Sequence, residues 1–577
     1  MVHIVAVKWI PAKKCRNARL SAMRLIPLRL WALALFSGIL QVLPFPIAGP
    51  VPLWRTAFCW VALLPLLMAL LGKNDSETPL TLRQGAVLGY VCGFIWYLGN
   101  CYWIYQTMYL YGGLAKPIAA GILILFCLYL GLYHALFGTL VVALRSRFGR
   151  RTALLFVPFL WVAVELARAR ITGLPWDLLG VAQVDNPLLT RLAPFTGAYG
   201  LSFLIAGVNA LWLLRIRVRE RRFTRPVLTL AGVVIVAFYI VGLSRLGNPR
   251  SAQATASATL VQENLEVGAA NTGPQPSTQQ LLESFSYLSR YPSSHFLLGI
   301  PELSGTQPVV LVRRHEPVTG VSPDAPLPST TDLIVWPESP APFQVDDPVF
   351  RRAMSSLART AGAPIIVGNI GIDATSANAR GYNMYNSASF VTPQGEFAGR
   401  YDKMHLVPFG EYVPFKQLFF FAKSLLNEVG TFDPGVHRTV FTTGGHTYGT
   451  FICYESIFPD EIRQYAQQGA EVLVNISNDG WYGDTSAPWQ HLNMVRMRAI
   501  ENHRWILRAT NTGVTAAINP FGRVMEAAPR HIRTSIQVHF AYEHDLTFYV
   551  RHGDLFAYFC ALVTALAFAY SLRPKLP

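Results

Sequence analysis

Charge is scarce in this chain. Asp, Glu, Lys and Arg make up 14% of its 577 residues, against about 25% in an ordinary soluble domain. Acidic residues are the scarcer sign, with 33 Asp and Glu against 49 Lys and Arg and a formal net charge of +16. Together with a hydrophobic content of 52%, the deficit excludes a wholly soluble protein and points to a membrane protein with one added water-soluble part. The basic excess does not indicate nucleic acid, because the charges sit in short clusters between apolar runs, as topology signals do. Cysteine is sparse as well. Of seven, Cys59, Cys92, Cys101, Cys127 and Cys560 fall in apolar segments and Cys15 in a basic leader. Cys453 is alone in the polar region, which excludes an internal disulfide there and leaves a packed small hydrophobe or a reactive thiol. Zinc-type Cys/His spacing, a Gly-rich phosphate loop and a nucleotide fingerprint are all missing, so no metal and no cofactor are expected.

What is present in quantity is apolar sequence. Eight stretches are candidates for membrane helices of about 20 residues. They lie at 30–47, 56–71, within 84–115, at 117–144, 152–164, 192–214, 226–244 and 555–572, with His134 inside the fourth. Lys and Arg crowd the leader, every second connection and the tail. This pattern places both termini in the cytoplasm and the long polar stretch outside it. The expected organisation is a basic cytoplasmic leader at 1–29, seven helices within 30–245, an extracytoplasmic catalytic domain at 246–554, and a last helix with its tail at 555–577. The leader lacks a small-residue cleavage site, so the first span reads as an uncleaved anchor; Met23 is a second candidate start.

The polar stretch reads as α/β. Short apolar or β-branched runs recur at 258–262, 332–335, 364–368, 387–391, 449–453, 472–476 and 515–518, with helical patterns at 348–361, 460–468 and 489–502. Strands alternating with helices imply a layered sheet-and-helix domain. The Pro-, Ser- and Thr-rich stretch 304–331 reads as a surface loop. Three polar features follow strand-like runs: Glu338 in "LIVWPESPAPF", Lys403 with Glu411 in "GRYDKMHLVPFGEYVPF", and Cys453 in "GTFICYESIF". Active groups collect at strand ends in open α/β sheets. A thiol needs ionisation to attack, which a carboxylate base and the helix expected after Pro459 would assist. A lysine stabilises the oxygen of a tetrahedral intermediate. Glu, Lys and Cys together suit acyl transfer through a thioester.

These stretches resemble the Glu–Lys–Cys motifs of the nitrilase superfamily. "HLVPFGEYVP", "SNDGWYGDTSAPWQHLNMVRMRAIE" and "RATNTGVTAAINPFGRV" are similar to runs of its membrane-integrated branch, the bacterial apolipoprotein N-acyltransferases. The resemblance covers nearly the whole chain. It implies a polytopic helical membrane domain of about eight spans carrying an αββα sandwich. It also implies Glu338 as general base, Lys403 as oxyanion lysine, Cys453 as nucleophile, Glu411 as a second essential glutamate, and Tyr454 and Glu455 as supporting residues. The implied activity transfers a fatty acyl chain from a phospholipid to the α-amino group of an S-diacylglyceryl-cysteine at the N-terminus of an apolipoprotein. The implied location is the bacterial inner membrane, multi-pass, with the catalytic domain on the periplasmic side. One departure is "VQENLEVGAANTG", which lacks the Trp that many members carry after the first strand, so no contact of that Trp is carried over. The stretch between Val261 and Trp336 is also longer than expected.

Other features have two readings each. "FKQLFFFAKSLLNEVG" is either a core helix or a membrane-facing lid in which Phe419, Phe420 and Phe421 meet acyl chains. "YWIYQTMYLYGG" reads as an interfacial aromatic belt. Trp176, in "TGLPWDLLGVAQVDNP", reads as part of a short piece on the membrane surface. His134 reads as hydrogen-bonded packing. In "HLNMVRMRAIENHR" a structural role competes with a headgroup contact for Arg496 or Arg498. The competing functions are a membrane-tethered nitrilase-type amidase, and a transporter-like or scaffold protein with an inactive domain.

Overall fold

The computed structural model describes residues 26–72, 78–217, 254–268, 276–292, 297–298, 331–338, 343–376, 380–408, 410–412 and 432–573. The expected span at 226–244, the lid phenylalanines 419–421 and nearly all of the Pro-rich stretch lie outside the described residues.

The N-terminal part is helical because its apolar runs must satisfy their backbone internally in a bilayer. Leu53–Leu71, Lys116–Thr172 and Ala198–Arg215 are long and apolar enough to cross a membrane, and the pair Leu82–Asn100 and Trp103–Tyr111, bent by 51°, makes a fourth if counted as one span. Leu28–Val42 and Leu555–Ser571 are apolar but shorter, at 15 and 17 residues. Helix thus occurs at seven of the eight expected places, but the described residues do not by themselves yield eight spans. The fourth and fifth expected spans lie in one 52-residue helical stretch, Lys116–Ala167, that consists of two helices meeting at a kink. It would be roughly 80 Å long if straight, far more than a bilayer core of about 30 Å. Gly149 breaks it with φ 80°, within the basic connection 145–151. Leu82–Asn100 begins with a Thr81–Gln84 capping box and lies close against Lys116–Ala167. A methyl group on Gly89 would strike the His134 carbonyl, and one on Gly138 the Gly85 carbonyl, so small residues set this contact. Large apolar side chains such as Leu125, Leu132, Phe559, Leu562 and Leu566 are exposed on the helices.

The polar part contains thirteen strands among the described residues. They are β1 (Ala256–Gln262), β2 (Leu297–Leu298), β3 (Leu333–Val335), β4 (Ile365–Ala374), β5 (Tyr382–Val391), β6 (Phe397–Asp402) and β7 (Val440–Thr443). The remainder are β8 (His446–Ile452), β9 (Val472–Ser477), β10 (Trp505–Thr510), β11 (Ala516–Ile518), β12 (Val524–Ala527) and β13 (Thr534–Phe540). One sheet has the order β13-β1-β3-β4-β5-β6 and the other β2-β12-β11-β10-β9-β8-β7. β1, β3 and β4 run parallel, as do β8, β9 and β10, with antiparallel strands outside them.

Alternation along each strand explains the layering. Leu260, Leu333, Val335 and Ile366 of the first sheet share a core with Phe451, Val474, Leu507 and Ala517 of the second. Val261, Ile334, Ile365 and Val367 point the other way, onto Phe285 of helix Thr278–Arg290 and Phe350 and Met354 of helix Pro348–Ala361. Helices Pro459–Gln467 and Ala487–Asn502 contribute Ile462, Tyr465, Leu492 and Val495 to the inner cluster. Both faces of the central strands are buried, which is why their sequences read as continuous apolar runs.

A third cluster joins the two parts. Val162, Leu166, Trp176, Leu178 and Ala557 pack with Tyr454, Ile457, Tyr482, Met494 and Met497. Trp176 is therefore not on a membrane surface; it is buried and donates from Nε1 to Gln490 Oε1 at 2.9 Å. Gln490 Nε2 donates to the carbonyls of Pro46 and Asn100. Arg496 and Arg498 are also buried rather than turned to headgroups. Arg496 pairs with Asp185 at 2.5 Å and Arg498 with Glu501 at 2.8 Å, while Glu501 accepts from the Ala198 N–H. The aromatic run 102–113 faces this seam too. Trp103 lies against Trp176 and Tyr482, and Tyr111 sits over Gly483. His134 is packed among Trp96, Tyr97 and Trp161, with Nε2 3.3 Å from Gln41 Oε1.

Candidate active site

The three expected groups all follow strands. Glu338 comes after β3, Lys403 is the first residue past β6, and Cys453 the first past β8. Pairing of β3 with β4, β4 with β5 and β5 with β6 brings the first two together across one sheet. Lys403 Nζ lies 3.0 Å from Glu338 Oε1 and 3.0 Å from Glu411 Oε1. Asn386, on β5, donates from Nδ2 to the same two oxygens at 2.7 Å each. The second Glu338 oxygen accepts from the Asn478 N–H at 2.8 Å, and the second Glu411 oxygen from the Val407 N–H at 2.8 Å. Burial works against the Lys403 charge, but Glu338 and Glu411 outweigh it and hold its pKa well above the usual lysine value.

Cys453 is buried and takes φ 49°, in the left-handed region. Such a conformation at a residue other than glycine costs about 1–3 kcal/mol and persists where surrounding contacts impose it. Here β8 ends and a tight turn, Cys453–Ile457, begins at once. The helix expected to stabilise the thiolate starts at Pro459, so this turn stands between it and Cys453. Burial is the main influence pushing the thiol pKa up; the Glu338 carboxylate adds to it, while Lys403 and the Ser477 hydroxyl oppose it. Cys453 is thus within electrostatic reach of both other members of the expected trio.

Glu455 locks this turn to the lysine loop. Its Oε1 accepts from the Tyr401 hydroxyl and the Met404 and His405 N–H groups, and its Oε2 from the Ile452 N–H. Burial raises its pKa against the Tyr401 and Ile452 hydrogen bonds. Tyr454 points to the helical part, its hydroxyl 3.5 Å from the Gly173 carbonyl.

Beneath Cys453 lies a group that the motifs did not single out. His491 Nε2 is 3.0 Å from the Cys453 carbonyl and 2.6 Å from Ser456 Oγ. Its Nδ1 is 3.0 Å from Asp479 Oδ1, and Arg508 donates to Asp479 Oδ2 at 2.6 Å. Burial alone would raise the Asp479 pKa, but Arg508 and His491 hold it below the usual carboxylate range. Among the described residues one His/Glu/Asp group, His503 with Glu543 and Asp545, is close enough to hold an ion. His503 and Arg504 already pair with that aspartate, so these contacts account for the cluster.

Comparison with known proteins agrees with this layout. Residues 37–211 match the apolipoprotein N-acyltransferase N-terminal domain, and residues 322–541 match the carbon-nitrogen hydrolase family. The apolipoprotein N-acyltransferase of Geobacter metallireducens is 34% identical over 97% of this chain and 98% of its own length. The chain belongs to the apolipoprotein N-acyltransferase family. The family's enzyme from Methylococcus capsulatus is 32% identical over 94% of this chain and 96% of its own. A nitrilase-superfamily amidase from Nesterenkonia AN1 superposes on 51% of this chain and 92% of its own, with 17% identity and a TM-score of 0.32. The carbon-nitrogen hydrolase match covers β3 to β13 and all three expected catalytic positions, and the N-terminal match covers most of the apolar helices before β1.

Sequence reasoning missed Asn386, Asp479, His491 and Arg508. In retrospect the signal is a polar or charged residue inside an otherwise buried run, as with Asn386 in "YNMYNSASFV" and Arg508 in "WILRAT". Buried polar groups of this kind are nearly always partnered.

Proposed function

We propose that this chain transfers a fatty acyl chain from a phospholipid to the free α-amino group of an S-diacylglyceryl-cysteine at the N-terminus of an apolipoprotein, through a thioester on Cys453. Glu338 takes the Sγ proton as sulfur attacks the ester carbonyl of the phospholipid. Lys403 stabilises the oxyanion of the tetrahedral intermediate. The intermediate collapses to the acyl-thioester, and the lysophospholipid alkoxide leaves with the proton from Glu338. The amine then attacks the thioester, Glu338 takes its proton, the amide forms, and the sulfur leaves and regains a proton. Glu411 and Asn386 hold Glu338 and Lys403 in register. The lid reading of Phe419, Phe420 and Phe421 belongs to this scheme as the barrier that keeps water from the thioester.

The observation that carries the proposal is where the nucleophile turn sits. Tyr454 and Ile457, within the Cys453–Ile457 turn, share a buried cluster with Val162, Leu166 and Ala557 of the apolar helices. A soluble amide would not require this placement, whereas an acyl donor held in a bilayer would. The alternating basic connections support eight spans, the 1–29, 30–245, 246–554 and 555–577 division, and a catalytic domain on the periplasmic side of the inner membrane.

The test is intact-mass analysis of purified protein mixed with phospholipid and no lipoprotein, beside Cys453→Ala. The expected result is a gain of one fatty acyl group, absent in the variant and removed by hydroxylamine. Folded protein whose Cys453 reacts with a thiol probe but gains no acyl group would refute phospholipid as donor and favour a hydrolase.

A further inference from the structure

We propose that the hydroxyl of Tyr482 is a second hydrogen-bond donor to the oxyanion, beside Lys403, in acyl transfer at Cys453. This rests on Cys453 being the nucleophile. Donors are in short supply at the site. An ammonium carries three N–H bonds, and Glu338 and Glu411, each 3.0 Å from Lys403 Nζ, take two of them. One is left for the oxygen of a tetrahedral intermediate, where oxyanion sites gather several preorganised donors.

The other hydroxyls around Cys453 are already engaged. Ser477 donates to Asp479 Oδ1 at 2.9 Å, Ser456 Oγ lies 2.6 Å from His491 Nε2, and Tyr454 turns to the Gly173 carbonyl at 3.5 Å. The Tyr482 hydroxyl has no hydrogen-bond partner among the described residues, although the residue is only 6% exposed. Buried polar groups are nearly always partnered. The buried Tyr401 and Tyr549 follow that rule by donating to Glu455 and Asp554.

The fold sets Tyr482 beside the reacting atoms. It ends the turn Asp479–Tyr482, which starts just after Asn478, the residue whose N–H binds Glu338 Oε2. Its ring is met edge-on by Trp103 at 5.2 Å and by Trp176 and His491 at 6.2 Å each, and His491 contacts the Cys453 carbonyl. Among the described residues the hydroxyl makes no hydrogen bond to Cys453 Sγ, so the atom it serves is one that arrives on the sulfur. Burial, and after it the nearness of Cys453, Asp479, Tyr454 and Glu338, holds its pKa well above the ordinary tyrosine value, so it remains a donor. As sulfur attacks, the carbonyl π electrons move onto oxygen. Tyr482 O–H and Lys403 N–H donate to that oxygen without giving up their protons, and the bonds weaken again when the leaving group departs. A donor held on several sides needs no reorganisation as this charge develops.

The experiment compares wild type with Tyr482→Phe, which removes the hydroxyl and keeps the ring, in full-length protein in detergent. Three reactions of Cys453 are timed by intact mass, with Cys453→Ala as background: acylation by phospholipid, acylation by p-nitrophenyl butyrate, and alkylation by iodoacetamide. The first two pass through an oxyanion; the third displaces iodide and forms none. The expected result is slower acylation by both donors, by about 10²-fold with phospholipid, in the maximal rate rather than in the half-saturating concentration. Alkylation and the melting temperature should stay at the wild-type values, which a merely structural role would not allow. Acylation at the wild-type rate, a slowing confined to one of two donors that the wild type accepts, or an equal loss in acylation and alkylation would overturn the proposal. Wild type that takes the butyryl group but gains nothing from phospholipid would refute the donor assignment alone, with p-nitrophenyl butyrate then deciding for Tyr482. Wild-type Cys453 that neither donor acylates would overturn both.

Discussion

Replacing Glu455 by Gln should slow thioester formation far more than it destabilises the protein. The four donors to this carboxylate are divided between the two halves of the site. Met404 and His405, which follow Lys403, and Tyr401 of β6 bind Oε1 at 2.7, 3.2 and 2.7 Å, while Ile452, which precedes Cys453, binds Oε2 at 2.7 Å. An amide of the same shape keeps one acceptor. With its oxygen on the Tyr401 side, its NH₂ group faces the Ile452 N–H, donor against donor. Leaving that buried N–H unmade costs about 1–3 kcal/mol. The other three bonds lose their charge assistance, and charge-assisted bonds are roughly twice as strong as neutral ones. Burial, however, opposes the Glu455 charge more than any other influence, so a neutral side chain recovers a comparable desolvation cost. The net destabilisation is therefore about 1–3 kcal/mol, concentrated at the peptide before Cys453. A displacement there of about 1 Å costs about 10²-fold in rate. The assay is the rate of acyl-thioester formation with phospholipid, beside a thermal melt in detergent. Glu455→Asp should not rescue, because one methylene fewer cannot reach both strands. A Gln variant that forms thioester at the wild-type rate, with its melting point lowered, would refute the idea that Glu455 spaces Lys403 from Cys453.

Two further outcomes are expected. Asn386→Asp places a third carboxylate against Glu338 and Glu411 around one lysine; losing two bonds to charged groups at about 1.5–3 kcal/mol each should lower acyl transfer to a lipopeptide by at least about 10²-fold, and an unaltered rate would show that the Asn386 bridge is incidental. Gln490→Leu strips the partner from Trp176 Nε1 and from the Pro46 and Asn100 carbonyls, so it should lower the unfolding temperature in detergent, with a cost of about 1–3 kcal/mol for each group left unpaired.

The parts of the fold that were legible in the sequence are those whose signal is local. The β3, β4, β8 and β9 runs are apolar because both of their faces are covered, and each catalytic candidate sits just past a strand, where the chain leaves the sheet. Sequence reasoning missed β2, β6, β7, β10, β12 and β13, and in two of these the pattern is interrupted. β6, "FAGRYD", is an edge strand carrying Arg400 and Asp402, and β10, "WILRAT", carries Arg508, whose charge is answered by Asp479 on the loop after β9. Helix Thr278–Arg290 is an exception: its Ser277–Gln280 capping box and its apolar stripe of Leu281, Leu282, Phe285 and Leu288 are a local signal that sequence reasoning overlooked. Trp176 looked like a surface residue because glycine, proline and aspartate flank it, but its partner Gln490 is 314 positions away. The same distance problem hid His491: nothing in "WQHLNM" reveals that this ring lies against the carbonyl of Cys453, 38 residues earlier. The helix around it is buried on nearly every side, so it lacks the amphipathic stripe that would have flagged an outlying polar residue.

The seam between the two parts is built from directional contacts, and this bears on how the proposed reaction meets its donor. Greasy packing alone would let the sandwich slide on the helices. Instead Arg496 pairs with Asp185, Glu501 accepts from the Ala198 N–H, and Arg170 pairs with both Asp460 and Asp554 at 3.2 and 2.6 Å. The Arg170 pair ties the helix after the Cys453–Ile457 turn to the entry of the last apolar helix, because Asp460 lies in Pro459–Gln467 and Asp554 immediately precedes Leu555–Ser571. Half-exposed ion pairs of this kind add little stability one by one, but they fix register. A tether would need one helix and a flexible joint. A chain that pins the Cys453–Ile457 turn to several helices keeps Cys453 at one height relative to them, which is what the proposed attack on an ester carbonyl at a nearly constant depth below the headgroups would demand.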